Sequence, residues 1–224
     1  MENRCILFYV KYPEQGCVKR RLAVHFGEEL ATELYKKFVS DSLTTLSKCE
    51  TPLKVCYYPP HSEELFIAWI GTHYACLPQR GSDLGERMKN SFSDAWCQGY
   101  QQVIITGSDI PDLPQSFIQE AFSLLCTNDV VIGPAYDGGY YLIGFRRETF
   151  LPEVFDQIQW GTEAVYMETI DRLKMRGLSI GILPRWNDID TPDDLKDLCK
   201  RNRHTPFHKS KTISFITEHM AGLV

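Results

Sequence analysis

Residues 103–114 read VIITGSDIPDLP, an apolar run that ends in glycine, serine and an acidic residue. A continuous apolar run is typical of a strand covered on both faces, as in the parallel sheets of α/β proteins. The turn residues that follow place Asp109 at the carboxyl end of this strand. Ligands of open α/β sheets bind at that edge, so the stretch indicates the fold class and the functional side of the sheet.

Short apolar runs and amphipathic segments alternate along the rest of the chain. Strands are predicted at CILFYV (5–10), LKVCYY (53–58), DVVIGP (129–134), YYLIGF (140–145) and LSIGILP (178–184). Helices are predicted over 28–48, 84–98, 115–125 and 163–176, and after the capping sequence TPDD at 191–194. This alternation predicts an α/β protein in which helices cover both faces of a mainly parallel sheet.

Composition narrows the class of protein. A chain of 224 residues without a linker suits one domain, expected over 1–202, with a tail at 203–224 that packs on it.

The net charge of −5 gives no general attraction to nucleic acid or anionic membranes. Scattered cysteines, no membrane-length apolar run and no signal-peptide pattern predict a reduced, cytoplasmic protein without a membrane span. Nothing in the sequence indicates an oligomeric state.

A basic loop, KYPEQGCVKRRL at 11–22, follows the first predicted strand and carries Lys11, Lys19, Arg20 and Arg21. The loop has neither a P-loop pattern nor a dinucleotide-binding glycine pattern. Its charges either form a solvated surface or neutralise the phosphates of a ligand directly, with arginine as a two-pronged donor and lysine as a point charge.

Two acidic motifs are candidates for a metal site. Asp109 at a strand end suits Mg²⁺ or Mn²⁺, although an Asp turn that caps the next helix is an equal alternative. Asp188 and Asp190 in WNDIDTPDDL follow another strand, where an ordinary helix start is the stronger interpretation. If Asp109 and Asp190 converge, they give a cation its protein ligands, and without the cation they repel each other.

Two glycine-containing motifs add candidates. The DGG of GPAYDGGYYLIG (133–144) is typical of a tight hairpin, but it would also let a substrate approach the backbone, with Asp137 binding or deprotonating an acceptor. In QRGSDLGERM (79–88), Gly81, Gly85, Glu86 and Arg87 open a helix whose amides either face a ligand or are simply capped.

Six segments occur in the order found in one known family: KYPEQGCVKRRL, GSDLGERM, GSDIPDL, GPAYDGGYYLIG, QWGTEAVYMETI and DIDTPDDL. Over roughly residues 4–200 the chain resembles bacterial and archaeal nucleotide-diphospho-sugar transferases, also labelled radical-SAM/selenodomain-associated transferases. It is also similar to the phospholactate guanylyltransferase. The chain departs from the family pattern at Arg20, where threonine is common, at Gln15, where proline is common, and in a single aspartate in place of D-x-D.

The resemblance implies a Rossmann-like, three-layer α/β/α nucleotide-diphospho-sugar transferase fold (glycosyltransferase A fold). It implies a metal at Asp109. Asp190 is the expected second ligand if the two acidic motifs converge, and Asp109 and Asp137 are the expected catalytic residues, Asp137 by its position alone. The resemblance also implies that the basic loop lies along nucleotide phosphates and that residues 137–140 lie near the acceptor. The expected substrate-binding residues are Lys11, Gly16, Lys19, Arg21, Arg87, Gly138, Gly139 and Tyr140.

The predicted activity is transfer of a sugar from a nucleotide-diphospho-sugar to a small-molecule acceptor, with Mg²⁺ or Mn²⁺ as cofactor. The first alternative is a nucleotidylyltransferase that joins a nucleoside monophosphate to a phosphorylated small molecule and releases pyrophosphate. The second is a nucleotide-binding module without catalysis.

Overall fold

One seven-stranded sheet forms the centre of the computed structural model, which describes residues 3–220 and 222. Its strands are β1 (Arg4–Lys11), β2 (Leu53–Tyr58), β3 (Ala75–Pro78), β4 (Gln102–Gly107), β5 (Val130–Pro134), β6 (Tyr140–Arg146) and β7 (Ile180–Ile182). The strand order is β3-β2-β1-β4-β6-β5-β7. Only β6 runs antiparallel to its neighbours, so the predicted mainly parallel sheet is confirmed.

Helices cover both faces of the sheet. They are α1 (Arg20–Phe26), α2 (Glu28–Ser47), α3 (Glu63–Ile70), α4 (Leu84–Cys97), α5 (Gln115–Leu124), α6 (Val165–Met175), α7 (Pro192–Arg201) and α8 (Lys211–His219). Side chains of a strand point alternately to opposite faces. Accordingly Ile6 and Phe8 of β1 pack in one core cluster with Phe38 of α2, whereas Leu7 packs in the other with Phe92 of α4.

Sequence patterns leave two elements near one sheet edge unassigned, namely α3 and the edge strand β3. Helix α3 reads EELFIAWI, and among its apolar residues only Phe66 is buried. A short segment of this kind has no clear helical period, because most of its apolar side chains do not face the core. Strand β3 is four residues long, which is too short to show an alternating pattern.

The C-terminal segment packs against α2. The Asp41 carboxylate accepts hydrogen bonds from the backbone N–H groups of Lys211 (3.2 Å) and Thr212 (2.8 Å), which are the first residues of α8. Ile213 and Phe215 of α8 lie in the same core cluster as α2. Within residues 3–220 and 222, no helix is both long and apolar enough to cross a membrane.

Candidate functional site

A cleft of about 680 Å³ opens at the carboxyl ends of β1 and β4. The first loop, the end of β4, the start of α4 and strand β6 form its walls. The predicted site residues that line it are Lys11, Lys19, Arg21, Arg87, Asp109, Tyr140 and Asp190. Among the described residues, Gly16, Asp137, Gly138 and Gly139 are not part of its lining. The cleft therefore joins the basic loop to both acidic motifs, as the strand-edge argument predicted.

Lys19 lies at the junction of the two acidic motifs. Its side chain is only 2% exposed, and its Nζ lies 2.9 Å from Asp190 Oδ1 and forms an ion pair with Asp109. The same Nζ donates to the backbone carbonyl of Ile189 at 2.7 Å. These three acceptors match the three hydrogens of an ammonium group. Burial acts to lower the pKa of Lys19, but the two carboxylates outweigh it and raise the pKa above its ordinary value.

The backbone of Lys19 is left-handed, with φ and ψ both at 46°, where the chain enters α1. A lysine in this region costs about 1–3 kcal/mol, which its surroundings must offset. The three contacts of the ammonium supply that compensation. Lys19 is buried, whereas Arg20 and Arg21, which follow it, are exposed.

Backbone and hydroxyl contacts hold the loops of the site together. The N–H of Ile189 donates to the carbonyl of Asp109 at 2.9 Å, which joins the end of β4 to the segment before α7. The Tyr35 hydroxyl accepts from the N–H of Lys11 at 3.0 Å and pairs with Ser108 Oγ at 2.8 Å. Helix α2 therefore fixes the ends of both β1 and β4 through one side chain.

The second aspartate of GSDIPDL has a structural role. The Asp112 side chain is 1% exposed, and its carboxylate accepts hydrogen bonds from Arg201 Nε at 2.7 Å and Arg201 Nη2 at 2.9 Å. Asn202 Nδ2 at 2.7 Å and Trp186 Nε1 at 3.2 Å complete its contacts. Asp112 thus ties the carboxyl end of α7 to the loop that carries Asp109.

The WNDID segment places two carboxyl groups in different environments. Burial opposes ionisation of Asp190, yet Lys19, Arg21 and Lys11 hold its pKa below the ordinary value. Burial raises the pKa of Asp188 to about 6, and the charges of Asp137 and Asp190 add to the shift. The environment of Asp188 depends on long-range contacts that the spacing of the WNDID motif does not show.

Asp109 and Asp190 converge, in agreement with the sequence-based expectation. The sequence analysis also expected the two carboxylates to repel each other in the absence of a metal. That expectation is wrong because the Lys19 ammonium contacts both carboxylates. Within the described part of the chain, no group of three or more His, Cys, Asp or Glu side chains is placed to hold a metal ion. As arranged here, the pair does not fit Mg²⁺ or Mn²⁺, because the Oδ1 atom of each carboxylate already contacts the Lys19 ammonium, whose positive charge would repel a metal ion.

The DGG motif forms the predicted turn between β5 and β6. The exposed Asp137 accepts from the N–H of Gly139 at 2.8 Å. Gly138 has φ +90°, and a Cβ there would lie 2.3 Å from the carbonyl oxygen of Glu163. Its own carbonyl accepts from the N–H of Tyr166 at 2.9 Å. The close approach at Gly138 is thus to the chain itself.

Tyr140 lines the cleft. Its hydroxyl is buried, so the ring is the part of the side chain that faces the cleft. The ring packs edge-on against Trp160 with 6.4 Å between the ring centres. Burial of the hydroxyl raises the pKa of Tyr140 above its ordinary value. The contribution of Tyr140 to the cleft is therefore an apolar wall.

A backbone N–H at the start of α4 and a backbone carbonyl at the tip of the first loop form hydrogen bonds with nearby side chains. The Asp83 side chain caps α4 by accepting from the N–H of Glu86 at 2.8 Å, as the capped-helix alternative expected. The Arg87 guanidinium lies 4.5 Å from the centre of the Tyr58 ring. Gly16 has φ +73°, and its carbonyl accepts from Arg20 Nε at 3.0 Å. Arg20 thus bonds within its own loop.

Sequence patterns miss several cleft residues on the side of β2. Tyr9, Tyr58 and Gln79 line the cleft. The Tyr9 hydroxyl pairs with Ser91 Oγ at 2.7 Å, and Gln79 Nε2 donates to the carbonyl of Cys56 at 2.7 Å. A single tyrosine or glutamine gives no sequence signal, because only the folded sheet brings these strand ends together.

Comparison with known proteins gives a close match over the whole chain. A crystal structure described as a "putative nucleotide-diphospho-sugar transferase", from Desulfovibrio desulfuricans G20, is 44% identical with a TM-score of 0.96, and the match covers 100% of this chain and 97% of that chain. No curated protein matches this chain significantly.

Two distant structures have the same fold. The CMP:2-keto-3-deoxy-manno-octonic acid synthetase complexed with CTP is 10% identical with a TM-score of 0.55, covering 89% of this chain and 98% of that one. Rv0371c of Mycobacterium tuberculosis H37Rv, in complex with manganese, is 10% identical with a TM-score of 0.52 and the same coverage. Together with the close match, they confirm the predicted nucleotide-diphospho-sugar transferase type of fold.

A family model matches residues 42–162, the part of the chain that contains β4, β5, β6 and the Asp109 motif. The chain therefore belongs to the family described as "Uncharacterized protein conserved in bacteria (DUF2064)".

Proposed function

We propose that this protein is a transferase that binds a nucleotide-diphospho-sugar in the cleft and passes the sugar to a small-molecule acceptor, releasing a nucleoside diphosphate. The observation that carries the proposal is that the exposed basic residues of the first loop line the same cleft as the acidic pair, at the carboxyl edge of the sheet. The 44% identity to a chain described as such a transferase supports the choice of donor.

Lys11 and Arg21 are the proposed ligands of the diphosphate. Both are exposed, and their side chains make no hydrogen bond or ion pair with other described residues. Their charges lower the pKa of Asp190, so both act on the same part of the cleft. Charged donors of this kind form strong hydrogen bonds with phosphate oxygens. Negative charge grows on the leaving diphosphate during sugar transfer, so fixed positive charge there favours the transition state.

Arg87 and Tyr140 are proposed to contact other parts of the donor. The Arg87 guanidinium projects from α4 over Tyr58, on the side of the cleft opposite the acidic pair. Arg87 Nε is buried without a partner among the described residues, so a ligand oxygen is the missing acceptor in this proposal. Gly16, Gly138 and Gly139 shape the loops around the cleft.

Asp137 remains the proposed residue that orients or deprotonates the acceptor. It is exposed, and its charge contributes to the raised pKa of Asp188. A carboxyl with a pKa of about 6 is well suited to general base catalysis near neutral pH, but Asp188, like Asp137, does not line the cleft, so its pKa alone does not put Asp188 in place of Asp137. Asp109 and Asp190 position Lys19. No step of the proposed transfer depends on the predicted Mg²⁺ or Mn²⁺, because the Lys19 ammonium contacts both expected ligands in the protein without nucleotide.

Nucleotidyl transfer is the second candidate function. The fold is shared with the CTP complex of a CMP-sugar acid synthetase, which supports binding of a nucleoside triphosphate in the same cleft. In that case the protein would join a nucleoside monophosphate to a phosphorylated small molecule and release pyrophosphate.

A melting-temperature screen of nucleotides and nucleotide-sugars tests the common part of both proposals. A ligand at 100 times its dissociation constant stabilises the folded state by about 2.7 kcal/mol. Nucleotide-sugars should raise the melting temperature of wild type more than that of Arg21→Ala. If none of the nucleotides or nucleotide-sugars changes the melting temperature of wild type, both proposals fail.

Product analysis separates the two reactions. Release of a nucleoside diphosphate from a nucleotide-sugar, slow with water as acceptor, supports sugar transfer. Release of pyrophosphate from a nucleoside triphosphate supports the alternative. Asp137→Asn should slow whichever reaction occurs while leaving the ligand-induced shift in melting temperature intact.

A further inference from the structure

Asp109 and Asp190, the predicted ligands of a divalent cation, already contact the positively charged side chain of Lys19. Lys19 Nζ contacts Asp109, Asp190 and the carbonyl of Ile189. The Phe38 ring closes the remaining side, with its centre 5.5 Å from Nζ. Three oxygens and an aromatic face are the environment in which proteins bind an ammonium ion.

We propose that the Lys19 ammonium takes the place of a divalent cation between Asp109 and Asp190, so that the free protein binds neither Mg²⁺ nor Mn²⁺ there. The Oδ1 atoms of both carboxylates contact Nζ, so a metal ion bound by these two oxygens would have to displace the ammonium. A metal ion placed beside the ammonium would also be repelled by it. This inference concerns the protein without nucleotide and does not depend on the proposed reaction.

Displacement of Lys19 by a metal is opposed by its burial. The carboxylates are 53% and 38% exposed, but the Lys19 side chain is 2% exposed, so the ammonium would lose its contacts without free access to water. A buried charge that loses its partners is strongly destabilising. The exposed Lys11 and Arg21 lie close enough to affect Asp190 and add further repulsion toward an incoming cation.

The experiment measures Mn²⁺ binding to the nucleotide-free protein, with MnCl₂ as the only added ligand and electron paramagnetic resonance to count free Mn²⁺. Wild type should show no saturable binding that depends on Asp109. Lys19→Met removes the charge while keeping a long side chain, and it should bind one Mn²⁺ at least about tenfold more tightly than wild type, or ~1.4 kcal/mol. The double variant Lys19→Met/Asp109→Asn should lose this gain.

The matched control is Arg20→Met, which removes one positive charge from the adjacent, exposed position. It should leave Mn²⁺ binding as in wild type, because Arg20 bonds to Gly16 and not to the acidic pair. A folded Lys19→Met variant, checked by circular dichroism, that binds Mn²⁺ no better than Arg20→Met would overturn the proposal.

If Lys19→Met does not fold, a comparison of wild type with Asp109→Asn tests the proposal instead. Wild type and Asp109→Asn should then bind Mn²⁺ equally weakly. One tightly bound Mn²⁺ in wild type that disappears in Asp109→Asn would show that the metal binds despite Lys19. Neither comparison uses a nucleotide, so a failure of the proposed function would not affect its outcome.

Discussion

Arg201 binds Asp112 through two hydrogen bonds of 2.7 and 2.9 Å, although 89 residues separate them in the chain. Asp112 follows β4, and Arg201 ends α7. This bond fixes α7 to the loop that carries Asp109, while the residues just before α7 supply Asp190. The distance between the two acidic motifs thus depends on an ion pair outside the cleft.

Replacement of Asp112 by alanine should lower the free energy of unfolding by about 3–5 kcal/mol, because Arg201 and Asn202 lose their buried acceptor. Urea denaturation at neutral pH measures this loss. Asp193→Ala is the control, because Asp193 on the same helix is exposed and pairs only with Lys196. A loss at Asp112 no larger than at Asp193 would contradict a structural role for Asp112.

Replacement by alanine should lower the stability of the protein by different amounts at the two glycines of the DGG turn. Gly138→Ala should cost at least about 2 kcal/mol in stability, because φ is +90° and the added Cβ would meet the Glu163 backbone. Gly139→Ala should cost much less, since the nearest atom to its Cβ is Asp137 Oδ1, on a movable side chain, at 3.2 Å. Thermal unfolding of both variants provides the measurement. Equal losses would mean that packing against Glu163 is unimportant.

The first loop should show a sharp difference between neighbouring arginines. Arg21→Ala should weaken binding of the nucleotide found in the melting-temperature screen by ~1.5–3 kcal/mol, the range for hydrogen bonds to charged groups. Arg20→Thr should weaken it much less, because Arg20 Nε bonds to the Gly16 carbonyl. Isothermal titration calorimetry compares the two. An equal loss of affinity would show that Arg20 also reaches the phosphates.

Asp188 should make stability depend on pH in a definite direction. Its pKa is about 6 in the folded protein against 3.8 ordinarily, so the folded state holds the proton more tightly. The resulting stabilisation is present below pH 3.8 and is lost as pH rises to about 6. Asp188→Asn keeps the shape without the charge, so its stability relative to wild type should increase between pH 4 and pH 7.

Urea denaturation of wild type and Asp188→Asn at both pH values measures that difference. Asp193→Asn serves as a control for charge alone, because Asp193 is exposed and its pKa is lowered by Lys196. A stability difference between wild type and Asp188→Asn that does not change with pH would contradict the raised pKa.

Much of the fold follows from local sequence. The apolar runs at 103–106 and 130–134 predicted buried strands because both faces of these strands are covered, and TPDD predicted the start of α7. The short α3 and β3 were missed, because Phe66 is the only apolar residue of α3 that is buried and β3 has only four residues.

The sequence by itself determined the fold class, because the alternation of strands and helices follows from local hydrophobic patterns. It also named Asp109 and Asp190 as a candidate pair, but the strand order and the convergence of the two residues are properties of the folded sheet. Only the tertiary structure decided what each charge contacts. Lys19 and Arg20 are neighbours in the chain, yet one is buried against two carboxylates and the other is exposed. The reason is physical: a lysine side chain is long, and its charge is placed by the partners that the fold brings within reach, here from residues 90 and 171 positions away.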